Sequence, residues 1–247
     1  MKIPKRPLVE QTLGRLKDFQ RISVEYVFRR LYTDPDPVDR FLLADEVGLG
    51  KTLVARGVIA KTIDHLWDTV PRIDVLYVCS NADIARQNIN RLRVPLDYEE
   101  DEDGNEGYSF ASRVTLLPLT AKRLEEHKVN FLAFTPGTSF DLGKRTGVAR
   151  ERALLFHLLR DPWSLTGIAP RHVLRAEVGS ERFDQHIAAI LSEDIDPVIR
   201  KRFCTEVNQD TGLQERFFDL CGEFRRADAR VSAEKRWARL LLIGHLR

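Results

Sequence analysis

The chain has no apolar run approaching the roughly 18 residues that a membrane span needs. Its opening, MKIPKRPLVEQTL, carries two basic clusters without the apolar stretch of a secretory signal. A cytoplasmic protein with no membrane partner is therefore expected. Cysteine is scarce: Cys79, Cys204 and Cys221 stand apart with no C-x-x-C pair. That spacing argues against a disulfide frame or a thiolate zinc site and for reduced thiols. The six histidines are scattered without H-x-x-x-H or H-E-x-x-H spacing, and no G-x-S-x-G elbow occurs, which excludes zinc-peptidase and esterase signatures. Neither sign of charge dominates. Lys and Arg total 39 against 37 Asp and Glu, a net +2, so a dedicated basic wrapper of nucleic acid is excluded while a local basic groove is not.

What is present is enough to fold. Of 247 residues, 43% are hydrophobic and 31% charged, the balance of a globular chain with one large domain or one domain carrying an insertion. From Leu8 to Tyr32 the pattern is helical in one or two pieces, with Val24, Val27, Phe28 and Leu31 on one face. The run Asp34-Pro35-Asp36-Pro37 ends it. A short buried strand is expected at Phe41–Ala44, then a Gly-rich turn and a helix from about Lys51 to Leu66. Ile73–Cys79 reads as a second strand, followed by a helix over Ala82–Leu92 capped by Asn81. Asp97–Glu106 is an acidic run expected to be a solvated loop. Further strands are expected at Val114–Leu117 and Val129–Thr135.

Beyond Gly147 the texture is helical only, with segments at Arg150–Leu159, Glu181–Leu191, Pro197–Val207, Leu213–Arg226 and Ala233–Leu246. The organisation expected is a helical segment over 1–39, a partial ATP-binding domain over 40–146 and a helical insertion or subdomain over 147–247. The fold class is α/β with a parallel sheet. Trp67, Trp163 and Trp237 are expected to serve packing.

The sharpest signal is Asp45-Glu46-Val47-Gly48-Leu49-Gly50-Lys51-Thr52, between an expected strand and an expected helix. Gly48 and Gly50 lack Cβ atoms, so the backbone can curl and aim N–H groups at a phosphate. The helix that follows adds the positive end of its dipole. Lys51 would reach the β- and γ-phosphates of a nucleotide and the Thr52 hydroxyl would ligate Mg²⁺. A bare G-x-G-K-[ST] arises by chance about once in a hundred chains of this length. The strict phosphate-loop pattern has glycine where Asp45 stands.

That departure carries a resemblance. The string Asp45–Thr52 resembles motif I of superfamily-two helicases, in particular the Swi/Snf-like translocases, where D-E-x-G-L-G-K-T is characteristic. Phe19-Gln20, ahead of it, resembles the Q motif, whose glutamine reads adenine. Ser80-Asn81 and the helix carrying Arg86 are placed like motif Ia, and Thr135-Pro136-Gly137 resembles the T-P-G of motif Ib. The resemblance covers roughly Phe19 to Phe140. It implies a RecA-like phosphate-loop fold with ATP and Mg²⁺ as cofactors. Gly48, Leu49, Gly50, Lys51, Thr52 and Gln20 would hold the nucleotide, with Thr52 on the metal. Ser80, Asn81, Arg86, Thr135 and Gly137 would contact nucleic acid, DNA on the Swi/Snf-like resemblance.

Two parts of such a motor are not found. Hydrolysis needs an apolar strand ending in Asp-Glu, for the metal and the attacking water. After Thr52 the pair Asp101-Glu102 lies in the acidic run, and Leu240–Ile243 is followed by Gly244-His245. A second RecA-like lobe has no room. The chain stops at Arg247 after an apolar helical stretch without a Gly or Asn stop signal. The expectation is a truncated front part that binds ATP without hydrolysing it, the missing C-terminal helicase part being a partner as a separate chain. Two other classes remain open: a non-catalytic nucleotide-binding or interaction module, and a complete phosphate-loop NTPase of another family drawing a carboxylate from Asp141 or Glu177.

Overall fold

A computed structural model of the chain describes residues 6–95, 108–111, 113–139, 146–225 and 231–247. The acidic run 97–106 lies outside these residues. The chain divides into two compact units, Met1–Ser112 with Arg123–Ala133, and Arg113–Lys122 with Phe134–Arg247.

In the first unit the N-terminal helical pattern resolves into α1 (Val9–Gly14) and α2 (Asp18–Phe28), the latter running into a wider π turn at Arg29–Thr33. After the Gly-rich loop comes α3 (Lys51–Leu66), then β1 (Ile73–Val78) and α4 (Ala82–Leu92). Asn81 caps α4, its side chain accepting from the Asp83 and Ile84 N–H groups at 2.8 and 3.2 Å. Next are β2 (Tyr108–Ala111), α5 (Ala121–Glu126) and β3 (Val129–Phe134). The strands form a sheet in the order β1-β3-β2, with β2 and β3 parallel in the register Tyr108↔Val129 to Ala111↔Leu132. This α/β arrangement buries Ile63, Ile89 and Leu92 of α3 and α4 with Ile73, Val129 and Phe131 of the sheet.

Two expected strands are corrected. Phe41–Ala44 has no strand: Phe41 is 38% and Leu42 85% exposed, and only Leu43 packs inward, against Leu16, Val24 and Val54. A strand exists only through ladder partners, and the sheet of the described residues offers this segment none. Val114–Leu117 is instead part of a 3₁₀ helix, Val114–Leu119. Pro118 has no N–H to give a ladder, and Leu116 N–H instead returns to the Arg113 carbonyl at 3.1 Å.

Helices α2 and α3 meet at a glycine. A Cβ on Gly57 would lie 2.6 Å from Cγ2 and 3.2 Å from Cγ1 of Val24, and 3.3 Å from Leu16 Cδ1. Val24 is fully buried and stiff at χ1, so it cannot swing aside. Gly57→Val is therefore expected to lower stability by about 2 kcal/mol, through overpacking that forces α2 outward. Urea unfolding checks this.

The second unit is helical: α6 (Pro136–Ser139), α7 (Ala149–Arg160), α8 (Ala169–Arg175), α9 (Ser180–Leu191), α10 (Pro197–Gln209), α11 (Thr211–Glu223) and α12 (Ala233–Leu246). Helix α7 is buried nearly all round, as expected for a helix at the centre of a core. Its Leu154, Leu155 and Leu159 join Trp163, Phe183, Phe217 and Ile243. Trp163 fulfils its packing role, whereas Trp237 is 54% exposed and does not.

At the start of α7 this core holds charge. Glu151, 2% exposed, takes Arg113 Nη1 at 3.0 Å and the Thr115 hydroxyl at 2.6 Å on one oxygen. Its other oxygen accepts from the Val148 N–H at 2.9 Å and is ion-paired with the Arg247 guanidinium at 3.0 Å. Neighbouring Arg152 is equally buried and donates to the Leu174, Gly147 and Arg175 carbonyls. Burial pushes its guanidinium down to about 10.

Candidate functional site

The loop Asp45–Thr52 closes onto α3 through two glycines in the left-handed region, Gly48 at φ +90 and Gly50 at φ +82. Residues with a Cβ adopt this region at a cost, which is why the turn needs glycine at both points. Gly50 is the N-cap of the 16-residue α3, and its carbonyl accepts from the Leu53 and Val54 N–H groups at 2.8 and 3.2 Å. The N–H groups ahead of these are the unsatisfied donors of a helix start.

Lys51 reaches back over the loop. Its ammonium donates to the Asp45 and Glu46 carbonyls, both at 2.8 Å. Thr52 is half-buried in the first turn. Leu49 is exposed at the tip, but its carbonyl is held from behind: Gln20 Nε2 donates to it at 2.9 Å. The Gln20 oxygen accepts from the Lys17 N–H at 3.0 Å, closing the first turn of α2. Gln20 is only 4% exposed, and a Cβ on Gly50 would sit 2.5 Å from its Nε2. The loop and Gln20, thirty residues apart in sequence, are thus one packed object. Its amide retains one N–H and one acceptor position.

The other candidates are placed as follows. Ser80 and Asn81 lie exposed between β1 and α4, with the Asn81 oxygen committed to the cap. Arg86 extends from the exposed face of α4, 3.8 Å from Asp83. Helix α4 packs beside α3 in the same unit. Thr135 is buried, 4% exposed, and Gly137 is exposed within α6; both belong to the second unit. Of the alternative carboxylates, Glu177 is ion-paired to Arg239 and Asp141 lies outside the described residues. The open recess along α2, about 560 Å³, is lined by Ile22, Tyr26, Phe28, Arg29 and Lys61 and not by loop residues.

No protein-family model, curated protein or solved structure matches the chain. The three cysteines are free thiols, and among the described residues no helix is long and apolar enough to cross a membrane.

Sequence reasoning missed the buried charges around Glu151. A signal was available: Arg150-Glu151-Arg152 opens a segment, ARERALLFHLLR, whose apolar residues fall on every side of a helix. Such a helix is central to a core, so the charges at its start must find partners inside.

Proposed function

We propose that the loop Asp45–Thr52 binds Mg²⁺·ATP and that the chain is the ATP-binding portion of a nucleic-acid translocase or helicase of the superfamily-two type. The observation that carries this is the clamp between Gln20 and the loop. The two sequence signals of such a motor, the glutamine ahead of motif I and motif I itself, share a hydrogen bond across 29 residues. A coincidental turn would have no reason to be gripped by that residue.

The chemistry is one of binding. Lys51, now spending its charge on two carbonyls, would turn to the β- and γ-phosphates, a stronger charge-assisted partner. The helix-start N–H groups would take phosphate oxygens, and Thr52 would ligate the metal. Gln20 would hold the Leu49 carbonyl out of the phosphate path while its spare N–H and acceptor meet the adenine edge. Ser80 and the exposed face of α4, with Arg86, are the surface offered to a nucleic-acid backbone. Without an Asp-Glu pair at the end of an apolar strand, no turnover by this chain alone is expected.

Calorimetry with Mg²⁺·ATP, with turnover assayed on the same sample, tests this. Binding is expected in the micromolar to millimolar range, and Lys51→Ala is expected to weaken it by roughly a hundredfold, the loss of a charge-assisted contact of about 3 kcal/mol. Binding that Lys51→Ala leaves intact would overturn the assignment of the loop. Turnover abolished by the same substitution would favour the second reading, a complete NTPase with its carboxylate elsewhere.

A further inference from the structure

The second unit contains a cavity of about 310 Å³ at the end of α7, the turn after it and α9. Its walls include Phe156, Leu165, Ile187 and Leu191, with Arg160 and Arg171 also lining it. The Arg160 guanidinium makes no hydrogen bond or ion pair among the described residues. Arg171 lies over the Phe156 ring, 5.5 Å from its centroid, and keeps only a 3.4 Å contact with Asp184. An arginine has five N–H donors, so both guanidinium groups have capacity to spare beside an apolar wall.

The local charge is positive. His157 also lines the cavity, and its buried Nδ1 has no hydrogen-bond partner among the described residues. Burial first, then Arg200, hold this imidazole below its ordinary value of 6.5, with Asp161 opposing. At neutral pH the imidazole is therefore uncharged, and the cations at the cavity are the two arginines. Asp161 is itself ion-paired with Arg200.

We propose that this cavity binds an amphipathic monoanion, a carboxylate on an apolar chain of about ten carbons, with the carboxylate on Arg160 and Arg171 and the chain against Phe156, Leu165, Ile187 and Leu191. The volume sits at the lower end for small-molecule sites, which suits a single chain and not a nucleotide or a peptide. Guanidinium groups favour carboxylates through paired N–H donors, while the apolar walls gain by excluding water. This proposal is independent of the nucleotide-binding reading, since it concerns other residues in the other unit.

The test is calorimetric titration of the whole chain with decanoate, decanol and acetate. Decanoate is expected to bind, and decanol and acetate to bind at least tenfold more weakly, because each lacks one half of the recognition. Arg160→Gln should weaken decanoate about tenfold and Arg160→Lys recover part of that loss. Leu191→Trp, at a position 55% exposed, should fill the cavity and abolish binding. Both positions tolerate change without loss of the core, and matched circular dichroism verifies folding. No decanoate binding, equal binding of decanol, or unchanged affinity in both Arg160→Gln and Leu191→Trp overturns the proposal.

Discussion

Glu151→Ala is expected to lower the stability of the second unit by about 3–5 kcal/mol, the range for breaking one partner out of a buried ion pair. The effect is large because the carboxylate answers several groups at once. Without it the Arg113 guanidinium, the Val148 N–H and the Thr115 hydroxyl lose an acceptor, and the Arg247 guanidinium loses an ion-pair partner. Arg247 has a side chain only 2% exposed, so water cannot replace what is lost. Glu151→Gln keeps the shape and one acceptor oxygen, and is expected to cost less while still removing the negative charge that faces Arg113 and Arg247. Hydrogen exchange at α7 and α12 is the measurement that reads this unit separately. Loss of protection there, with α3 and α4 unchanged, is the expected pattern. A melting point within a degree of wild type would show that the pair contributes nothing.

The second large effect is expected at Gly50. Gly50→Ala places a Cβ in the left-handed region, at about 1–2 kcal/mol, and 2.5 Å from Gln20 Nε2. Gln20 cannot yield cheaply, because it is buried and both ends of its amide are bonded. Either the loop opens or the glutamine leaves, at about 1–3 kcal/mol more. On the nucleotide-binding reading, the affinity for Mg²⁺·ATP should fall by about a hundredfold. Gly48 is an internal control. A Cβ there meets nothing within 4 Å, so Gly48→Ala carries the backbone strain alone. The double variant Gly50→Ala with Gln20→Ala should recover the steric part and not the conformational part. Equal losses at Gly48 and Gly50 would show that the Gln20 contact is not what holds the loop.

Much of the helical frame was legible because its local signals agree with its packing. Lys51–Leu66, Ala82–Leu92 and Ala233–Leu246 appear with the bounds that caps and apolar spacing gave them. The strands were less legible, because a strand is defined by its neighbours. Phe41–Ala44 has the apolar character of a strand and no ladder, while Tyr108–Ala111 has a weak pattern and gains its identity by pairing with β3. Helix α8, Ala169–Arg175, was not anticipated: seven residues between turns give periodicity little length to act on. At the candidate site the loop was evident from its glycines, Lys51 and Thr52. What spacing could not give was the orientation of Gln20, since burial against Leu49 depends on how α2 lies on α3 at Gly57.

The path of the chain has a consequence for how the gene can be cut. The backbone leaves the first unit at Arg113, contributes the 3₁₀ turn to the second, returns for Arg123–Ala133 and departs again at Phe134. No single cleavage point separates the two bodies. A fragment begun at Phe134 would carry Glu151 without Arg113 and Thr115, and one ended at Ala133 would carry a stretch that belongs elsewhere. Deletion mapping of this protein therefore calls for excising an internal segment or permuting the termini, and a simple halving would report on damaged pieces.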